Sequence, residues 1–252
     1  MEIFLFALLG LHLGAVINRL ADNLPQRRSI ARAPQCPYCG TPRPALDQFA
    51  VLSALVLRGK CPNCHAPIPF RAPLVELALA VAAAFLWTRD GATVQLALHL
   101  IYTFVFLLVL VIDLEHRLIF NVVMFPAIFF AALASPFSKM GWRLALLGGI
   151  TAFVIVFAIY YGAKLFSRAR HLDIQGGAFG QGDVTLATFM GIVTGFPGAL
   201  TAVLYGILLG GAGAIGFIAY QFIRFRRVAF GAAIPYGPFF CIAGWWVMVF
   251  GA

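Results

Sequence analysis

Two sets of residues in this 252-residue chain have the type and spacing to do chemistry: a pair of aspartates at the edges of apolar runs, and four cysteines in two C-x2-C pairs. Asp113 ends one apolar run, and Asp183 closes Gly176-Gly177-Ala178-Phe179-Gly180-Gln181-Gly182-Asp183 just ahead of another. A carboxylate at a membrane border loses hydration and is tolerated mainly where it faces a bundle interior or a water-filled cavity, so such acids read as functional by default. Two carboxyls sharing a proton suit hydrolysis: the ionised one deprotonates a water while the protonated one donates to the scissile carbonyl. A lone Asp at a span end reads more simply as a helix cap. The glycines leading to Asp183 (Gly176, Gly177, Gly180 and Gly182) favour a site, because they permit the close approach that an extended peptide needs. No strand–turn–helix unit surrounds them, so they form no dinucleotide fingerprint.

Cys36-Pro37-Tyr38-Cys39-Gly40 and Cys61-Pro62-Asn63-Cys64-His65 resemble each other. Each C-x2-C knuckle offers two thiolates, and two knuckles close a four-sulfur site of the structural zinc kind, with no open coordination position for catalysis. Two disulfides are the competing account, and a cytoplasmic loop sits in a reducing compartment where they rarely persist. His65 is an alternative ligand to Cys64, and otherwise an exposed histidine. Cys241 lies in an apolar run and reads as a small packed residue.

The elements that must position these groups are membrane helices. The chain is 62% hydrophobic and 11% charged, with a mean hydropathy of +0.93, against about 25% charged in a soluble domain. Apolar runs near the roughly 20 residues that cross a bilayer fall at 1–20, 73–88, 94–112, 118–135, 144–166, 184–196, 197–220 and 233–251. The expected fold is therefore all-α and polytopic, with about eight transmembrane helices. Gly195-Phe196-Pro197-Gly198 predicts a hairpin, with one long kinked helix as the alternative. The first run carries no basic cluster ahead of it and no small-residue cleavage site after it, so it reads as a retained span rather than a signal peptide.

With 19–71 on the cytoplasmic side, every Lys and Arg except Arg89, Lys139 and Arg143 falls on that side, as the positive-inside rule requires. Both acids then lie at the cytoplasmic border. The net charge of +9 reads as topology and contact with anionic lipid heads. Basic stripes interleaved with aromatics are absent, which excludes a nucleic-acid partner. Three segments are expected: a first transmembrane helix at 1–20, a cytoplasmic four-cysteine zinc loop at 21–72, and a transmembrane core at 73–252.

Several motifs together resemble the type IV prepilin peptidases, a family of membrane aspartyl proteases that combine leader peptidase and N-methyltransferase activities. They are Gly14-Ala15-Val16-Ile17-Asn18, the cysteine loop with Leu52-Ser53 and Arg58-Gly59-Lys60-Cys61, and Arg71-Ala72-Pro73-Leu74-Val75-Glu76. Asp113, Gly180-Gln181-Gly182-Asp183 and Ile234-Pro235-Tyr236-Gly237-Pro238-Phe239 complete the set. The resemblance implies Asp113 and Asp183 as the catalytic pair and Cys36, Cys39, Cys61 and Cys64 as zinc ligands, with Gly180 and Gly182 in a substrate loop. It implies a prepilin or pseudopilin substrate of a pilus or protein-secretion system, S-adenosylmethionine as methyl donor, and residence in the bacterial cytoplasmic (inner) membrane. The chain departs from the family pattern at Ile119-Phe120-Asn121, at Thr185 in place of a common lysine, and at Arg19 directly after Asn18. None of these removes an acid. The alternative function is a proton-coupled transporter using the same two acids as a relay.

Overall fold

The structure is a computed structural model that describes residues 1–29, 35–36, 38–41, 49–56, 59–67, 69–169, 180–225 and 235–251. The elements among them are helices: α1 (Glu2–Asn23), α2 (Ala50–Val56), α3 (Arg71–Asp90), α4 (Val94–His116), α5 (Asn121–Ala134), α6 (Gly141–Ala169), α7 (Gln181–Thr194), α8 (Gly198–Phe225) and α9 (Gly237–Phe250). A 3-10 turn at Ser135–Phe137 follows α5. Every apolar run read from the sequence forms its own helix, and α2 is a short addition inside the cysteine loop. The hairpin expectation holds: α7 stops at Thr194 and α8 starts at Gly198, with Gly195 at φ +62, where a side chain would be strained.

Among the described residues, five helices are long and apolar enough to cross a membrane: α1, α3, α4, and the stretches Gly141–Phe166 and Gly198–Arg224. Helices α5, α7 and α9 have 14 residues each, about 21 Å of rise against roughly 30 Å of hydrocarbon. Within the last run α9 begins at Gly237, with Pro238 in the first turn where its missing N–H costs nothing. Helix α4 continues one turn past the expected 112. Glu115 and His116 therefore belong to its last turn.

The chain divides into two compact units, Met1–Leu108 and Val109–Ala252. In the first, α1 and α3 lie antiparallel at very close range. A Cβ on Gly10 would fall 2.5 Å from the Ala80 Cα, and one on Gly14 would fall 2.5 Å from the Glu76 Cα. Gly10-x-x-x-Gly14 thus forms the small-residue seam by which membrane helices bring their backbones together. Phe6 stacks on Trp87 at one end of the seam, at 4.3 Å between centroids, and Asn18 Nδ2 donates to the Ala72 carbonyl at the other, at 2.9 Å.

In the second unit α7 is the central strut, packed against α5, α6, α8 and α9. From Leu186 to Thr194 its residues are buried, apart from half-buried Thr188. The α6–α7 crossing is built on two glycines. A Cβ on Gly148 would strike the Gly191 carbonyl and one on Gly191 would strike the Gly148 carbonyl, while a Cβ on Gly149 would fall 2.5 Å from Ile192 Cγ1.

Candidate active site and metal centre

Asp113 sits in the last turn of α4 and is 4% exposed. The helix ends on Arg117, whose φ of 55° is left-handed and whose N–H donates to the Asp113 carbonyl at 2.9 Å, a helix-terminating αL turn made without glycine. Asp183 is the third residue of α7 rather than the residue before it. Its carboxylate accepts the N–H of the N-cap residue Gly180 at 2.7 Å, the side-chain half of a capping box. The two acids, 70 positions apart in sequence, are near enough for direct charge repulsion, and Arg117 acts on Asp113 with the opposite sign.

Two residues of α9 complete the surroundings. A Cβ on Gly237 would collide with the Asp113 carboxylate, its Cγ lying 2.9 Å away, so glycine is needed for this contact. Asp113 Oδ2 is buried beside the Gly237 backbone amide, in a geometry short of a full hydrogen bond. One turn further along α9, Cys241 is 1% exposed and lies within the electrostatic reach of both Asp113 and Asp183. Sequence reading took Cys241 as simple packing. The signal for it was its i, i+4 spacing from Gly237, which puts both on one face of α9.

The glycines before Asp183 differ in what they do. A Cβ on Gly182 would fall 2.6 Å from the Ile119 Cβ and 3.3 Å from the Ile119 carbonyl, so the close approach here is made by the chain's own α4–α5 connection. Gly180 has φ −98, and a Cβ there would make only ordinary contact, 3.7 Å from Asp183 Oδ2, so its contribution is the N–H given to Asp183. Gly176 and Gly177, like Arg58, Phe230, Gly231 and Ile234, lie outside the described residues. Thr185, in the place of the family's common lysine, turns its hydroxyl back to the Gly182 carbonyl at 2.8 Å.

The four cysteines converge in the first unit. The sulfurs of Cys36, Cys39, Cys61 and Cys64 all lie within 4.8 Å of one another, with Cys36 to Cys64 at 3.7 Å and Cys39 to Cys61 at 3.9 Å. A disulfide needs about 2.05 Å, whereas a tetrahedron of Zn–S bonds near 2.3 Å spaces its sulfurs about 3.8 Å apart. The set therefore fits a metal ion such as zinc. The thiols are unequal: the Thr41 hydroxyl and backbone hold Cys39 down to about 6. At Cys64 the Ala66 backbone pulls downward, but desolvation and the neighbouring thiols push it up to about 12. A divalent cation among them removes that competition.

Both knuckles use one backbone pattern. The Cys36 N–H bonds the Thr41 carbonyl and the Gly40 N–H returns to the Cys36 carbonyl, as Cys61, Ala66 and His65 do in the second knuckle. His65, at φ 56°, thus occupies the left-handed position that Gly40 takes at φ 69°. It is a turn residue beside the sulfur cluster and outside it. The loop is fastened to the membrane helices by Glu76, fully buried in α3, whose carboxylate accepts the N–H groups of Ala50 at 2.8 Å and Val51 at 2.9 Å at the start of α2. His12 leans on Phe49, at 4.8 Å between centroids, and His99 bonds Asp90 at 2.6 Å.

Residues 100–215, which contain both acids, match the type IV leader peptidase family, and residues 8–89, which contain the four cysteines, match the bacterial peptidase A24 N-terminal domain. This chain belongs to the type IV leader peptidase family. Among its relatives is the prepilin leader peptidase/N-methyltransferase of Pseudomonas aeruginosa, 27% identical over 97% of this chain and 89% of the relative. Proteins of the same description are 28% identical in Aeromonas hydrophila, over 99% of this chain and 90% of the relative, and 25% identical in Stutzerimonas stutzeri, over 96% and 89%. No solved structure matches the chain.

Proposed function

We propose that this protein is a membrane aspartyl endopeptidase of the bacterial inner membrane that removes the leader from prepilins or pseudopilins at the cytoplasmic border and methylates the new amino terminus. The observation that carries this reading is the approach of buried Asp113 and half-buried Asp183, from helices α4 and α7, to within charge range of each other in a leader peptidase family member. One carboxyl takes a proton from water as the water attacks the scissile carbonyl, and the other gives a proton to that oxygen, the pair titrating as a unit. The leader's basic charge belongs with the side that carries most of this chain's Lys and Arg, and the mature pilin's apolar helix belongs in the bilayer. A proton relay needs neither the family match nor a four-sulfur loop, so the transporter reading is not favoured.

The four-cysteine cluster is the site for a structural zinc ion, with Cys36, Cys39, Cys61 and Cys64 as its ligands and the loop at 21–72 on the cytoplasmic side. S-adenosylmethionine would supply the methyl group for the freed amine. The groove lined by Tyr205, Leu208, Leu209, Ile242, Ala243 and Trp246 is almost wholly apolar, so it does not suit the polar edges of an adenosine and a carboxylate.

The test is hydrolysis by purified full-length protein. Asp113→Asn and Asp183→Asn are each expected to lower cleavage of a prepilin by at least about a thousandfold, the scale on which removing one member of a catalytic unit acts, while leaving the protein folded in detergent. Product masses read cleavage and methylation separately. Substantial hydrolysis by either variant would reject the pair.

A further inference from the structure

The first turn of α9 meets Asp113 on one side and a row of glycines on another. Gly206, Gly210 and Gly213 fall on one face of α8 at i, i+4 and i+7, and each notch is filled by an aromatic ring of α9 or of its N-cap residue Tyr236. A Cβ on Gly206 would collide with Phe240, with Cε1 at 2.7 Å. One on Gly210 would meet Tyr236 at 2.6 Å from Cε1 and 2.7 Å from Cδ1, and one on Gly213 would collide with Phe239, with Cε1 at 2.8 Å. Gly211 and Gly216 of the same helix have nothing within 4 Å. Gly198, at the start of the helix, makes only ordinary contact with Val247 and Thr194, so the glycines of α8 that meet rings are these three, and all meet the turn that carries Gly237. That turn has no slack on its other side, where the Asp113 carboxylate occupies the place of a Gly237 side chain and Ile119 Cδ1 comes within 3.3 Å of it.

We propose that Tyr236, Phe239 and Phe240, seated in the notches at Gly210, Gly213 and Gly206, are positioning residues for the peptidase reaction: they fix the lateral placement of Gly237 and through it the orientation of the Asp113 carboxylate toward Asp183. The inference rests on the aspartyl peptidase reading. Rings are stiff and the notches have no spare depth, so a methyl group in a notch moves the whole turn rather than one side chain. A displacement of about 1 Å at a reacting group is enough to cost on the order of a hundredfold in rate.

Gly210→Ala, Gly213→Ala, the double variant Gly213→Ala with Phe239→Leu, and the control Gly211→Ala test this as full-length proteins in detergent, on a prepilin that the wild type cleaves. Gly210→Ala and Gly213→Ala are expected to lower kcat about tenfold or more with KM within about twofold, the signature of a lost transition-state arrangement. Phe239→Leu removes the atoms that the new methyl strikes and is expected to restore at least about half of the lost rate, a coupling that general destabilisation does not produce. Gly211→Ala stays at the wild-type kcat. If Gly213→Ala does not yield folded protein, Phe239→Leu alone serves, with a fall in kcat of about threefold or more expected from the loosened seat and an unchanged kcat counting against it. Wild-type kcat in the two glycine variants, a loss confined to KM, or a double variant no better than Gly213→Ala would overturn the inference. Cleavage persisting in Asp113→Asn would sink the peptidase reading and this one with it. Cleavage abolished by the aspartate variants but undiminished in the glycine variants would sink this one alone.

Discussion

Single residues in this chain are held by backbone groups more than by one another. Asp183 takes the Gly180 N–H, and Glu76 takes two N–H groups from the start of α2. Such bonds fix a carboxylate's orientation without a second charge, which a low-dielectric surrounding would make costly. His65 shows the converse, a side chain placed where glycine fits better. A left-handed conformation costs a non-glycine residue about 1–2 kcal/mol, partly offset by the greater freedom that glycine has when unfolded. His65→Gly is therefore expected to leave metal content and cleavage intact and to stabilise the cysteine loop slightly. Metal stoichiometry and limited proteolysis of the loop check it, and a variant that loses its metal would make His65 a ligand after all.

At the scale of helices, glycine decides which pairs touch. The α1–α3 seam at Gly10 and Gly14, the α6–α7 crossing at Gly148 and Gly191, and the α8–α9 notches each place a glycine where any side chain would strike backbone or a ring. Lipid offers no hydrophobic drive between helices, so close packing has to supply the association. Gly148→Leu is expected to force the α6–α7 crossing apart and to destabilise the protein by about 3 kcal/mol, at the upper end for overpacking of a tight interior. Gly162→Leu, on the same helix at a point with nothing within 4 Å, is expected to be neutral. Thermal unfolding in detergent separates the two, and equal melting temperatures would mean that the crossing is not a fixed interface. Because α7 carries Asp183, the crossing variant should also lose cleavage.

For the whole molecule, the asymmetry of its basic residues predicts which way it sits in the membrane. Cys39 and Cys64 are exposed while Cys241 is buried, so a membrane-impermeant maleimide can report the side on which the loop lies. After zinc removal by a chelator, labelling of Cys39 and Cys64 is expected in inverted inner-membrane vesicles and absent in intact spheroplasts, with Cys241 unlabelled in both. Labelling from the periplasmic side would reverse the orientation and remove the acids from the leaf where a leader peptide is presented.

The sequence alone determined what is local or one-dimensional. The eight apolar runs are legible because a membrane helix is specified by length and hydropathy, and the cysteine knuckles because each C-x2-C pair is closed by its own short turn. Hydropathy also predicts depth, from which Asp113 and Asp183 are expected at one border. Lateral position was not legible, because hydropathy says how deep a residue lies and nothing about which helix stands beside it. Only the packing of the α4 end, α7 and α9 brought Asp113 against Gly237 and within charge range of Asp183, set Ile119 over Gly182, and put Cys241 within electrostatic reach of both acids. The capping of α2 by Glu76 was hidden for the same reason: a hydrogen bond between residues 25 and 26 positions apart leaves no periodicity to read.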